Sequence, residues 1–309
     1  MTHRWGILGG GFGLYGYVPA IASNPLWRVI ILEKHRDFIY RRPELRKFLN
    51  IIDFVPKKNE ILLDADSLII SLPPMFQTTL FSEVEHKRYR NLMLEKPLAV
   101  TPDIGIQVLK SAIALSDSVR VGYSFFDTAW GADIVQKILN LNSQDDISIV
   151  WDFQAHHFRV QDRSWKADHD KGGGVLRFYG IQLIALIARV DGVKINSSIL
   201  INEESRGYCI WLSEFLNKKG AKVKVSINCN ASNQKFEIIV SQNKRINRVS
   251  LKSPFDGQPV NFDDDKRCSV LKTILNTFQE DNHEYYSLYK VVNELWYSVE
   301  RDTKVMQIV

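Results

Sequence analysis

The chain has 309 residues, 45% apolar and 24% charged, which excludes a disordered or fibrous polymer and leaves room for two domains of ordinary size. The 40 Lys and Arg outnumber the 35 Asp and Glu by only five, and the basic residues are scattered, so composition argues against nucleic-acid binding. No apolar run is long enough to span a bilayer, no signal-peptide core precedes Gly9, and Cys209, Cys229 and Cys268 form no C-x-x-C pair; a cytoplasmic protein with reduced thiols and no metal is expected.

The first part of the chain alternates short β-type runs with helical patterns. Strands are expected over 5–8, 29–32, 67–71, 91–94 and 119–122, and helices over 14–22, 43–49, 76–86 and 102–115. Leu68-Ile69-Ile70 is apolar without alternation, as a strand buried on both faces requires. The pattern predicts a doubly wound α/β domain with a parallel sheet over residues 1–122. From 123 to 309 it changes. A helix over 127–139 leads into longer alternating strands over 147–157, 193–201, 208–215, 222–229 and 236–241. Helices follow over 174–190, 266–278 and 285–301, with a loop over 253–265. This second part reads as an α+β domain with an open, mostly antiparallel sheet.

Gly9-Gly10-Gly11-Phe12-Gly13 leaves the first strand and runs into an amphipathic helix. A diphosphate docks on backbone N–H groups at such a junction, which requires a tight turn and no Cβ in the way. Gly9, Gly11 and Gly13, with Phe12 among them, meet both needs. Gly11, Gly13 and Gly16 also fit the G-x-G-x-x-G spacing, but Gly16 would then lie inside the helix. A close-packed connection without a ligand uses the same glycines. Glu33 favours the dinucleotide, because an acidic side chain ending the second strand accepts from the ribose hydroxyls. A Rossmann domain holding NAD or NADP is therefore expected. Glu33 repels a 2′-phosphate and favours NAD, whereas Lys34, His35 and Arg36 would bind that phosphate if Glu33 turned away.

Ser71-Leu72-Pro73-Pro74 follows the third strand and Glu95-Lys96-Pro97 the fourth, both on the rim where open parallel sheets bind ligands. Lys96 stands where a substrate would meet the nicotinamide, on a turn stiffened by Pro97; a plain surface lysine is the alternative. Further on come Val121-Gly122-Tyr123 and Trp165-Lys166 leading to Gly172-Gly173-Gly174-Val175-Leu176. With Pro19-Ala20 and residues 66–74, these stretches resemble the glucose-fructose oxidoreductase, inositol dehydrogenase and rhizopine-catabolism (Gfo/Idh/MocA) family, from Arg4 to about residue 186.

The resemblance implies an oxidoreductase that moves a hydride between a nicotinamide cofactor and a sugar, cyclitol or nucleotide sugar. It implies cofactor contacts at Ser71, Pro73, Gln77, Glu95 and Lys96, with Gln77 toward the nicotinamide carboxamide. Tyr123, Trp165, Lys166, His169 and Gln182 become candidate substrate contacts, and the second-domain sheet becomes a homodimer or homotetramer interface. The family's helix after three glycines carries an aspartate and, four residues later, a histidine base; here those positions are Phe178 and Gln182. Glutamine is no base near neutral pH, and phenylalanine cannot orient one.

Three routes remain. Gln182 holds the hydroxyl while Lys96 carries the proton, or Tyr179 supplies the acid from the same helical face. In the third, the chain is a non-catalytic dinucleotide- or sugar-binding regulatory or scaffold protein. His169 is a further candidate proton carrier. His156 and His157, expected in a strand, should point to opposite faces and share no metal, and Asp263-Asp264-Asp265 should cap the next helix.

Overall fold

The computed structural model describes residues 2–81, 84, 87–160, 164–203, 207–258 and 265–308. Six strands, β1 (His3–Leu8), β2 (Trp27–Leu32), β3 (Ile52–Val55), β4 (Ser67–Ile70), β5 (Tyr89–Leu94) and β6 (Ser116–Val121), form one sheet in the order β3-β2-β1-β4-β5-β6. Every pairing in it is parallel. β4 is buried at all four positions, as its unbroken apolar run demands. The strand order reverses between β1 and β4, the kind of switch point at which open parallel sheets generally bind ligands. β3 escaped sequence reasoning because it is a four-residue edge strand with a single buried position. The helix expected over 14–22 is broken at Gly16, where the Phe12 ring lies 2.5 Å from the place a Cβ would take.

The second sheet contains β7 (Asp146–Gln154), β8 (Lys194–Glu203), β9 (Gly207–Leu216), β10 (Lys222–Asn228), β11 (Asn230–Gln242), β12 (Arg245–Leu251) and β13 (Thr303–Ile308). Its order is β12-β11-β7-β10-β9-β8-β13. β7 with β10 and β8 with β13 pair in parallel, and the other pairings are antiparallel. Alternation sets one face inward, with Ile147, Ile149 and Trp151 beside Val223, Val225 and Ile227. The other face carries Ser148, Val150, Leu212, Glu214 and Lys224 and stays open. β12 and β13 were not foreseen, since β12 buries none of its residues and β13 follows its helix with no turn signal between them.

The contacts do not divide the chain at residue 122. One unit comprises Met1–Ala99, Ile106–Asp127 and Gly257–Ser287; the other comprises Val100–Gly105, Thr128–Asp256 and Leu288–Val309. The returning segment completes the first unit. Its helix Cys268–Asn276 buries Cys268, Val270, Leu271, Ile274 and Leu275, and packs on the helix Tyr17–Ala22. Buried Arg120 of β6 ties it down, donating Nε to Thr277 Oγ1 (2.9 Å) and Nη1 to Asn282 Oδ1 (2.8 Å), with its guanidinium 3.6 Å from the Tyr285 ring centre. An amphipathic helix announces that it buries a face, but not against which partner, so a contiguous division was the natural sequence reading.

In the second unit the helix expected over 174–190 starts as a π-helix, Val175–Gly180, and continues as the α-helix Ile181–Ala188, every residue of which is buried. The segment before it is braced by Glu300. That carboxylate accepts from Arg177 Nε (2.8 Å) and Nη2 (3.1 Å) and from Trp296 Nε1 (3.0 Å), while Arg177 Nη1 donates to the His169 carbonyl (2.9 Å). The His169 side chain is 14% exposed, with Nε2 3.9 Å from Glu300 and Nδ1 buried without a hydrogen-bond partner among the described residues. Burial, and then the Arg177 charge, hold its pKa below the ordinary histidine value despite the nearby acids.

The unfolded chain therefore takes up a proton at His169 before the folded chain does, so stability falls as pH drops through the ordinary histidine range and is regained above it. We expect His169→Gln to flatten the dependence of Tm on pH between about 7.5 and about 5.5 in thermal melts. Equal slopes for variant and wild type would contradict this account.

Candidate functional site

The first unit's rim is built by carrying the parallel ladder one residue beyond the strands. Ser71 N donates to Leu8 O (2.8 Å), Glu95 N to Ile70 O (2.9 Å) and Gly122 N to Leu94 O (2.8 Å). With strands ~4.8 Å apart, Gly9, Ser71, Glu95-Lys96 and Gly122 are lined up along one edge.

Gly9, Gly11 and Gly13 have different reasons to lack a side chain. Gly9 has φ +133°, and a Cβ there would stand 2.2 Å from the Ser71 carbonyl oxygen. A Cβ at Gly13 would stand 2.9 Å from the Ser71 Cβ. Both are needed because the chain leaving β4 passes underneath. Gly11, at φ +54°, is exposed with none of the described residues within 4 Å of its missing Cβ, so of the three it is the one that leaves space for a ligand. The Gly9, Gly11, Gly13 register therefore fits a diphosphate on main-chain amides, whereas Gly16 is covered by Phe12.

Glu33 opens a short turn after β2 and is gripped by Arg36, Nε to Oε1 at 2.5 Å and Nη2 to Oε2 at 2.9 Å. The Arg36 hydrogen bond holds the carboxyl below its usual range, so it stays ionised near neutral pH. Arg36 also lies 4.0 Å over the Phe54 ring.

Beneath the Glu95-Lys96-Pro97 turn the Tyr17 hydroxyl donates to Glu95 Oε1 at 2.5 Å. Burial pushes the Glu95 carboxyl up, against the Tyr17 hydrogen bond and the charges of Lys96 and Arg267. Burial and the Glu95 charge raise the Tyr17 phenol far above its ordinary value. Lys96 is half-buried, and its peptide bond to Pro97 is cis. Gln77 was expected to reach the nicotinamide carboxamide. It is instead 0% exposed, and its Nε2 donates to the carbonyls of Glu95 and Pro97, both at 3.0 Å. It is an internal strut for the lysine turn, because the helix Pro74–Phe81 aims it inward. The carbonyl of Pro73 accepts from Phe76 N (2.9 Å) at the start of that helix, and Ser71 is chiefly the floor of the glycine turn.

In the second unit Trp165 starts a short turn over Gly173, where a Cβ would meet its carbonyl oxygen at 2.1 Å. Phe178 packs edge-on against Trp165 at 5.3 Å, with Lys166 Nζ 5.7 Å from its ring centre. Tyr179 packs against Phe178 (4.8 Å), Phe153 (4.8 Å) and Trp151 (5.8 Å). Gln182 is buried in the first turn of the following α-helix. Tyr179 belongs to the wider π turn, so its three-residue spacing from Gln182 does not carry the α-helical alignment expected of it.

Other expectations are corrected. Tyr123 is buried, its ring 5.7 Å from Phe126, and contributes to packing. His169 is tied into the Arg177–Glu300 brace as described above. β7 stops at Gln154, so His156 and His157 lie in the single helical turn His156–Arg159, and His157 is buried against Phe158 at 4.4 Å. Asp265 accepts from the Arg267 guanidinium and its backbone N–H, and Arg267 takes the capping position of the helix Cys268–Asn276. Asp263 and Asp264 lie outside the described residues, as do 82, 83, 85 and 86 of the helix expected over 76–86.

Sequence reasoning missed Tyr17 and Arg267. The latter lies 4.0 Å over the Phe12 ring, and no motif around it gave a signal. Among the described residues, no group of three or more His, Cys, Asp or Glu could hold a metal, and no helix is long and apolar enough to cross a membrane.

No family model matches the chain, and no curated protein matches it in sequence. Solved structures do match in shape. KijD10, a 3-ketoreductase from Actinomadura kijaniata in complex with NADP and TDP-benzene, aligns over 100% of both chains at 13% identity and a TM-score of 0.71. A myo-inositol dehydrogenase from Corynebacterium glutamicum aligns over 98% of this chain and 97% of its own, at 16% identity and a TM-score of 0.70. GenD2 from gentamicin A biosynthesis, in complex with NAD, aligns over 97% of this chain and 93% of its own, at 13% identity and a TM-score of 0.70. At these identities the likeness is one of fold.

Proposed function

We propose that the chain is a nicotinamide-dependent oxidoreductase that moves a hydride between NAD(P) and a carbon of a sugar, cyclitol or nucleotide sugar. The carrying observation is the rim of the first sheet, where the open Gly11 turn at the switch point is followed two strands along by half-buried Lys96. The solved structures of the same fold add support, since they include complexes with NADP and with NAD. When bound, the nicotinamide ring supplies the hydride acceptor or donor.

The chain's own residues do the rest. The Gly11 and Phe12 amides bind the diphosphate, and Glu33, ionised beside Arg36, accepts from the ribose hydroxyls. That charge repels a 2′-phosphate, which favours NAD. Gln77 stiffens the turn that presents Lys96, whose ammonium hydrogen-bonds the reacting oxygen and stabilises charge developing there. Trp165 and Lys166 serve the sugar, Gln182 holds its hydroxyl by hydrogen bonding, and proton movement falls to Lys96 or Tyr179. The protein works in the cytosol, with Cys209, Cys229 and Cys268 as buried thiols. Two or four copies join through the open face of the second sheet, where Leu212 is 37% exposed beside Val150, Ile199 and Glu214.

A second reading, a binding protein without turnover, is favoured by one observation: Phe178 stands packed on Trp165 where the family has an aspartate. Single-turnover assays over a sugar panel, run on protein shown to bind NADH by fluorescence, separate the two. For the enzyme we expect Lys96→Ala to lower the rate by about 10²- to 10⁴-fold, with Tyr179→Phe matching it if the phenol carries the proton. Turnover seen only in Gln182→His would establish the binding protein instead.

Replacing Glu33 removes the acid and releases Arg36, so Glu33→Gln should weaken NADH, tighten NADPH and shift their affinity ratio by about tenfold in fluorescence titrations. An unchanged ratio would remove Glu33 from cofactor choice. By sedimentation we expect an oligomer that Leu212→Glu dissociates, whereas a wild-type monomer would rule the sheet-face interface out.

A further inference from the structure

We infer that Arg267, far from every motif in the sequence, is a second contact for the cofactor's diphosphate. The inference rests on the dinucleotide reading above and names a residue that the glycine turn does not contain.

A guanidinium offers five N–H donors in a rigid fork. Asp265 takes one edge of it, Nε to Oδ1 at 2.7 Å and Nη2 to Oδ2 at 2.8 Å, and Nη2 also lies 3.5 Å from the Tyr15 hydroxyl. Asp265 is itself fixed, because it accepts the Arg267 backbone N–H at 2.9 Å. The guanidinium carbon lies 4.0 Å from the Phe12 ring centre and 5.8 Å from that of Tyr15. The side chain is thus held at one edge by a carboxylate and packed beside two rings. Nη1 remains the end of the fork with no hydrogen bond among the described residues, on a side chain that is 31% exposed.

Its location decides what an accessible, immobilised donor of this kind would meet. Phe12 directly follows Gly11, the one residue of the turn with empty space above it. An anion seated there meets main-chain amides and, beside the same phenylalanine, a preoriented cation. Two phosphate groups joined by an oxygen present acceptors to both, and a guanidinium matches phosphate better than an ammonium does because it presents paired donors in one plane. The charge is felt in the surroundings as well, since Arg267 pulls down both the Tyr17 phenol and the Glu95 carboxyl against their burial. Asp265 does not compete for the ligand's oxygens; it occupies the opposite edge and stops the long side chain from wandering, which lowers the ordering cost of binding.

The test compares wild type, Arg267→Met and Arg267→Lys, full-length and checked for folding by circular dichroism. NADH is titrated by fluorescence at low and high salt, and ADP and adenosine by calorimetry. Methionine keeps contact with Phe12 but removes charge and donors. We expect it to weaken NADH and ADP by about tenfold or more, to leave adenosine within about twofold, and to flatten the salt dependence of NADH binding. Lysine should fall between the two, and it decides by the same ADP-to-adenosine ratio if the methionine variant fails to fold. Wild-type affinity for NADH and ADP in both variants would overturn the assignment. So would equal losses for ADP and adenosine, which would mean that Arg267 only shapes the turn. Wild-type protein that binds no NADH would overturn the cofactor reading itself, and that result is read from the wild-type titration alone.

Discussion

The hydrogen bonds that continue the parallel ladder past its strands, Ser71 to Leu8, Glu95 to Ile70 and Gly122 to Leu94, are the constraint from which the candidate site follows. They bring the Ser71 carbonyl so close to residue 9, and the Ser71 side chain so close to residue 13, that both must lack side chains, and they set the lysine turn two strands away. The chemistry of the rim is therefore a by-product of how the sheet is closed off at its carboxyl end. Once β1, β4, β5 and β6 pair in register, little freedom remains in where the glycine turn and Lys96 stand relative to each other.

Underneath that rim lies a layer of charge that the surface residues alone do not reveal. Glu95 and Tyr17 share a short hydrogen bond in a buried setting, with cations at Lys96 and Arg267 acting on the acid. A buried carboxyl beside two positive groups lets the turn carry a lysine without leaving its charge uncompensated. Gln77 does similar service for the backbone by satisfying two carbonyls of a turn that no strand partner can reach.

What could be read from the sequence was local. Leu68-Ile69-Ile70 declared a strand buried on both sides, the glycines declared a turn, and Glu95-Lys96-Pro97 declared itself by its place after a strand. What could not be read depended on partners distant in the chain or on small departures from regular geometry. Gln77 looked like a rim residue because its spacing gives no sign of which way the helix faces. Arg267 meets Phe12 across most of the chain's length, and no periodicity records such a contact. The π turn at Val175–Gly180 is a change of winding within one apolar run, and the edge strands β3, β12 and β13 bury too little to leave a pattern. At Phe178 the sequence was silent on packing, and the structure finds the residue in an aromatic group with Trp165 and Tyr179.

The interrupted path of the chain through its first unit has a consequence for how the protein is made. The helix Cys268–Asn276, which covers the helix Tyr17–Ala22, and the Thr277 and Asn282 groups that satisfy Arg120, emerge from the ribosome only after nearly all of the other unit. Until then the nascent first unit carries an uncovered apolar helix and a cationic side chain deprived of these acceptors. The growing polypeptide must be sheltered through that interval, and a fragment cut near residue 122 inherits the same exposure permanently.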